Sequence, residues 1–378
     1  MANKGGLEGI VVADVQTSLV DGVNGKLIYS GYSIEDLAAN ASFEEVFFLL
    51  HNVRLPNATE LEAIRSQIAT EGVVPQPVLD MMKTLPKGTP AMAAVRTATS
   101  MLSPYDADAE NLTDKEVARN KAARLTGQVA AICAAWVRIT KGEEPVAPRA
   151  DLTLAENFVY MMTGEDPDET ASAAVNVYLV LLAEHGMNAS TFTSRVVTAT
   201  GSDMHSAVVA AIGALKGPSH GGANAEAMKM FMEIGEPENV QPWFDTHIKD
   251  GDRRIMGIGH RVYKAPDPRA AVLKEHAERL AESSGNTKWY EIAVKLADAA
   301  RADEYFIERK LFPNVDYYSA IVLSTLDLDI DMFTPLFVMA RMAGWTANIV
   351  DQMQGRLIRP KANYVGPVDL SWTAVEDR

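Results

Sequence analysis

The chain has 378 residues, of which 47% are hydrophobic and 22% charged, the balance of a folded globular protein rather than a disordered one. At about 150 residues per domain, that length exceeds what one hydrophobic core usually serves and predicts two to three domains. Thirty-five Lys and Arg against 50 Asp and Glu leave a formal charge of −15, a field of the wrong sign for non-specific binding to nucleic acid or to an anionic membrane.

In chain order, the opening residues Met-Ala-Asn-Lys-Gly-Gly-Leu-Glu contain no apolar run, so no secretory leader is expected. Asn24-Gly25, between Leu19-Val20 and Leu27-Ile28-Tyr29, predicts a β-hairpin. Helices follow. Ser42-Phe-Glu-Glu45 is a capping box, in which hydroxyl and carboxylate satisfy exposed N–H groups at a helix start. Phe43, Val46, Phe47 and Leu50 continue it at helical spacing. Thr59-Glu-Leu-Glu62 and Thr113-Asp-Lys-Glu116 repeat the device. After the second of these, Leu125, Val129, Ile132, Trp136 and Ile139 form one apolar stripe that ends at Lys141-Gly142. Cys133, the one cysteine, lies beside that stripe and reads as small core filler. A single thiol excludes an intrachain disulfide or a CxxC site and fits a reducing cytoplasm, where the protein is expected.

Further helices are expected over 154–163, 168–184, 190–200, 203–216, 223–234, 268–284, 287–304 and 334–353, the last with Thr334 as N-cap and Pro335 at the first helical position. The longest apolar stretch, 173–183, carries Asn176 and is well short of the roughly 20 residues that span a bilayer. Regular strand–helix alternation is absent, and so is an internal repeat, which leaves an all-α fold as the expectation. Breaks rich in Gly and Pro cluster between 217 and 268, as do most residues capable of chemistry.

Of seven histidines, three stand in unusual company. His220 lies in Lys216-Gly-Pro-Ser-His-Gly-Gly-Ala-Asn224, just before a helix. A helix N-terminus offers free N–H groups and a positive potential that keeps an imidazole neutral. The competing reading is an ordinary turn contact. His260 lies in Gly257-Ile-Gly-His-Arg-Val-Tyr-Lys264, with Arg261, Lys264 and Arg269 close behind in an otherwise acidic chain, a run suited to carboxylates or phosphates or simply to a solvated loop. His185, in Glu184-His-Gly-Met-Asn188, sits at a junction between two helices, where a satisfied helix-end histidine is the alternative.

Asp316, in Phe312-Pro-Asn-Val-Asp-Tyr-Tyr-Ser319, is a lone acid among apolar and aromatic neighbours; it reads as a base with a raised pKa or as the N-cap of the next helix. Arg341 interrupts a strongly apolar helix, a place where an arginine usually has an anionic partner, and Arg356 and Arg359 follow in Gly355-Arg-Leu-Ile-Arg-Pro360. No paired metal-ligand spacing occurs, nor GxxxxGK[ST], nor GxGxxG after a strand, so neither a metal site nor a phosphate loop is expected.

Four of these motifs, in order, resemble the citrate synthase family in its shorter bacterial and archaeal form: Glu184-His-Gly-Met-Asn-Ala-Ser-Thr-Phe192, Lys216 to Asn224, Gly257 to Lys264 with Asp267-Pro-Arg269, and Pro313-Asn-Val-Asp316. The similarity runs from Gly6-Leu-Glu-Gly9 to Arg356-Leu-Ile-Arg-Pro360. It implies an all-α fold with a large domain, 1–221 and 326–378, and an inserted small domain, 222–325. It further implies a homodimer with shared active sites that close around oxaloacetate before acetyl-CoA completes them. By the same resemblance Asp316 is the base that takes a methyl proton from acetyl-CoA, His220 hydrogen-bonds the thioester oxygen, and His260 polarises the ketone of oxaloacetate. His185, Arg269 and Arg341 grip its carboxylates, Arg359 arrives from the partner subunit, Asn188 supports the substrate loop, and Lys264 and Arg356 face CoA. Acetyl-CoA is then a co-substrate, with no tightly bound cofactor and no metal. Two rivals remain at this stage: a 2-methylcitrate synthase using propionyl-CoA with the same groups, and a non-enzymatic helical interaction protein on the same fold.

Overall fold

The computed structural model describes residues 6–7 and 9–378; most of the opening segment read for a leader, and Glu8 of Gly6-Leu-Glu-Gly9, lie outside the described residues. The hairpin forms where expected: β1 (Ser18–Asp21) pairs antiparallel with β2 (Lys26–Tyr29), and β2 with the short β3 (Tyr32–Ser33). Every regular element after it is a helix. The helices are α1 (Ile34–Asn40), α2 (Phe43–Asn52), α3 (Ala58–Glu71), α4 (Gln76–Lys83), α5 (Ala91–Met101), α6 (Lys115–Lys141), α7 (Leu154–Thr163), α8 (Glu169–Leu182) and α9 (Ala189–Thr198). They continue as α10 (Met204–Leu215), α11 (Ala223–Ile234), α12 (Val240–Phe244), α13 (Pro268–Ser284), α14 (Lys288–Ala302), α15 (Glu304–Glu308), α16 (Val315–Thr325) and α17 (Phe333–Gln352). None of these is long and apolar enough to cross a membrane.

The caps correct the sequence reading in detail. Ser42 and Glu45 form the expected box on α2. On α3 the box is Asn57 with Glu60, two residues before the expected Thr59 and Glu62, because the asparagine oxygen reaches the third N–H of the helix equally well. Asp114, not Thr113, caps α6. Thr334 is not an N-cap at all: α17 starts one residue earlier, and the Thr334 hydroxyl donates to the carbonyl of Gly221 (3.1 Å). The expected 287–304 helix is broken at Asp303, which caps α15.

α17 is apolar on nearly every side and is accordingly buried on every side, the state such a helix requires. It packs against α2, α5, α6, α8, α9, α10 and α11. Cys133 on α6 is fully buried against this group. A second group gathers α11, α13 and α14 around α16, and α13 also meets α1 and α8 of the first. The turns that leave α8, α10 and α12 and enter α16 face one another where the two groups meet, and these are the turns that carry the singled-out histidines and Asp316.

Candidate active site

Local backbone chemistry brings His260 and Asp316 together. Ile258 and Pro313 form an isolated antiparallel bridge, Gly259 N–H donates to Phe312 O (2.8 Å), and Asn314 N–H donates to Gly257 O (2.8 Å). Asn314 then caps α16, accepting from Asp316 N–H (2.9 Å), so the cap role considered for Asp316 belongs to its neighbour. Gly257 is obligatory here: its φ is +79°, and a Cβ would stand 2.8 Å from Tyr317 Cα. Asp267 joins the same junction. It caps α13, pairs with Arg269 at 2.8 Å and accepts from Val315 N–H (3.2 Å).

The carboxyl of Asp316 is desolvated among these groups, which raises its pKa to about 6 in spite of Arg269 and Arg341 nearby. Both other catalytic candidates are neutral imidazoles. Burial first, then the charge of Arg269, lowers His260 to about 4; burial, then Arg341, lowers His220 to about 4. Burial and Arg341 are thus enough to keep His220 neutral, the state that the sequence reading ascribed to the helix N-terminus.

The backbone also fixes where their protons sit. Val262 N–H (3.0 Å) and Tyr263 N–H (3.1 Å) both donate to His260 Nδ1, which leaves the ring proton on Nε2. Ser190 engages His220 Nε2 through its hydroxyl (2.8 Å) and its N–H (3.3 Å), leaving the ring proton on Nδ1. Ser190 is held in turn by Trp345 Nε1–H (3.0 Å). Asn188 shapes this turn as the N-cap of α9, accepting from Thr191 N–H (3.1 Å).

Arg341 is the centre of the cluster. It is 2% exposed, its Nε–H donates to Leu182 O (2.7 Å), its guanidinium lies over Phe337, and it forms no ion pair among the described residues. The anionic partner expected from sequence is absent. The carboxylate whose charge acts most on it is Glu184, itself buried and pushed up to about 7 by that burial. A buried cation without a counter-ion is costly, and a bound anion is the natural compensation. His185 stands beside it, its imidazole ring 5.6 Å from that of His260, with Nε2 3.1 Å from the Tyr263 hydroxyl. Burial and the charges of Arg269 and Arg341 keep His185 neutral.

Four groups escaped the sequence reading. Ser190 and Tyr263 lie inside quoted motifs but carried no role. Glu184 precedes His185. Tyr178 on α8 is fully buried, its hydroxyl has no hydrogen-bond partner, and the charges that reach it are Asp316 and Arg341. A cavity of about 870 Å³ opens beside His260, lined by Lys249, Arg253, Arg254, Arg261 and Arg309. The Asp252-Arg-Arg254 run was the sequence signal for it. Lys264, Arg356 and Arg359 are exposed, none of the three lines this cavity, and the two arginines lie on the segment after α17.

The comparisons with known proteins agree with the geometry. The family model described as citrate synthase, C-terminal domain, matches residues 6–361. The chain belongs to the citrate synthase family. It is 46% identical over 375 residues to "Citrate synthase 2" of Bacillus subtilis, covering 99% of this chain and 98% of that protein. It is 39% identical over 365 residues to the 2-methylcitrate synthase of Mycobacterium tuberculosis, covering 96% and 90%. Among solved structures, a citrate synthase of Thermoplasma acidophilum, in ternary complex with carboxymethyl coenzyme A and oxaloacetate, superposes with a TM-score of 0.92 at 34% identity, covering 99% of this chain and 98% of that one. The family is one of enzymes, which removes the non-enzymatic reading.

Proposed function

We propose that this chain condenses acetyl-CoA with oxaloacetate and water to give citrate and CoA, the entry step of the tricarboxylic acid cycle. The observation that carries the reading is the unpaired buried Arg341 between two neutral histidines of fixed tautomer and a carboxyl tuned to about 6. Oxaloacetate's carboxylates take the place of the missing counter-ion, held by Arg341, Arg269 and His185 together with the partner subunit's Arg359. Thioester α-protons are weakly acidic, so enolisation needs a base and a hydrogen-bond donor acting at once. Asp316 takes the methyl proton, and His220 Nδ1–H hydrogen-bonds the developing enol oxygen. His260 Nε2–H polarises the ketone and then protonates the new alkoxide. Hydrolysis of the citryl thioester makes the reaction irreversible.

The cations around the cavity beside His260 suit the phosphates of CoA; Lys264 and Arg356, outside that lining, would join them only after closure or from a second copy. CoA is a co-substrate here, and the mechanism has no step for a metal or a resident cofactor. In this reading 222–325 is the small domain, closing on the large one about the 217–222 turn. A homodimer is supported by the exposed apolar side chains of the segment after α17 (Val365, Leu370, Trp372), which a second copy would cover. The protein is read as cytoplasmic. The test is steady-state thiol release with oxaloacetate plus acetyl-CoA, then plus propionyl-CoA. A higher kcat/KM for acetyl-CoA is expected; the reverse preference makes the chain a 2-methylcitrate synthase, and release from neither removes the reading.

A further inference from the structure

We propose that the β1–β2 hairpin is a positioning element for this reaction: its base holds the His185 turn, its tip clamps the His260 loop, and Gly22 is the residue whose bare backbone lets the clamp close. The proposal rests on the functional reading above and goes beyond it, because the hairpin contains none of the groups that reading uses.

At the base, Tyr29 is fully buried and its hydroxyl donates to Glu184 O (2.7 Å) while accepting from Glu184 N–H (3.1 Å). Ser18 Oγ accepts from Gly186 N–H (3.0 Å) and donates to Glu184 Oε1 (3.2 Å). The residues on both sides of His185 are thus tied to β1 and β2. At the tip, Lys264 N–H donates to Gly22 O (2.7 Å). Gly22 has an ordinary φ, so conformation does not require a glycine there; space does. A Cβ on it would overlap the Val262 carbonyl, and one on Gly25 would stand 2.8 Å from Pro266 O. The clamped residues matter because Val262 and Tyr263 supply the two N–H groups that hold the His260 proton on Nε2. The Tyr263 hydroxyl reaches back to His185.

Two four-residue strands and their turn therefore set the spacing between two substrate-facing histidines that lie 75 positions apart in the chain (260 minus 185). The turn has its own brace: Asp21 accepts from Asn24 N–H (3.0 Å) and from Asn24 Nδ2 (2.7 Å).

The experiment compares Gly22→Ala, Asp21→Ala and Gly31→Ala in the full-length protein. Gly31 sits in the β2–β3 turn at φ +98° with open space around its Cβ, so its substitution strains the sheet without touching the loop. kcat and KM for both substrates are measured, with hydrogen exchange of the amides of Val262, Tyr263 and Lys264 followed by mass spectrometry. Gly22→Ala should lower kcat about 10- to 100-fold, the scale of an ångström-sized misplacement, and speed exchange at those amides. Asp21→Ala, which adds no bulk, should do the same to a smaller degree, and Gly31→Ala should do neither. Parent-like kcat in Gly22→Ala, or an equal loss in Gly31→Ala, overturns the clamp. If Gly22→Ala does not fold, Asp21→Ala decides: unchanged loop exchange overturns the proposal, and faster exchange with lowered kcat supports it. Exchange needs no turnover, so it still judges the clamp if the unmodified protein releases no thiol and the functional reading fails.

Discussion

At the scale of single residues, the site works by contrast. Burial lifts the Asp316 carboxyl to about 6, as the proposed base requires, whereas Asp267, at the same junction, is kept ionised by its hydrogen-bonded pair with Arg269. Asp316→Asn keeps the shape and removes the base. It should leave oxaloacetate binding in place and slow turnover at least about 10²-fold, the usual scale for a lost general base; near-normal turnover of the purified variant would remove Asp316 from the role. The pH profile follows from the same residue. Asp316 acts only as the carboxylate, and its ionised fraction rises with pH through about 6. His220 and His260 have already lost their extra protons above about 4. kcat/KM for acetyl-CoA should therefore climb through about pH 6 and level off above it. A limb centred near 4 instead would place the controlling group on a histidine.

At the scale of elements, α17 shows what the sequence made legible. Its apolar run and the misfit of Arg341 in it were readable from periodicity alone. The absence of a counter-ion was not, because the groups that could have paired with Arg341 come from α8 and the 182–186 turn, more than 150 positions away. The same division holds along the chain. α2 and α7 carry capping boxes, while α4 and α5 follow Pro75 and Pro90 with no side-chain cap and left no signal to read. The four motifs placed His185, His220, His260 and Asp316, but Tyr178 and the hairpin's grip on the His260 loop exist only once distant segments meet. The unpaired state of Arg341 has a measurable consequence. Arg341→Met removes a buried charge that no ion pair among the described residues balances, so the ligand-free variant should melt no lower than the parent. Added oxaloacetate should raise the Tm of the parent by binding the native state and should no longer do so in the variant. Thermal unfolding with and without oxaloacetate checks both halves.

At the scale of the whole molecule, the position of Arg359 makes a case for shared sites. It is exposed on the segment after α17, and none of the hydrogen bonds or ion pairs among the described residues ties it to the Arg341 cluster of its own chain. In a dimer with exchanged segments it would complete the neighbour's site. Mixing Arg359→Leu subunits with His260→Ala subunits should then restore part of the activity, since one of the two sites in each mixed dimer lacks both lesions. No return of activity, in a mixture shown by mass spectrometry to have exchanged subunits, would mean that each chain builds its site alone.

Cys133 lies in the middle of α6, fully buried under α17, its Sγ near the Pro335 carbonyl, and burial pushes its thiol pKa up. A folded chain consequently offers a disulfide dye nothing to react with. In an assay that counts CoA by its sulfur, every equivalent of colour at early times is product. With substrates left out, the same reagent becomes a clock: colour creeps up only as chains open, and stops at one equivalent per chain, because the sequence holds one cysteine. The protein thus carries its own stopwatch for unfolding, sewn into the helix on which the site-bearing α17 rests.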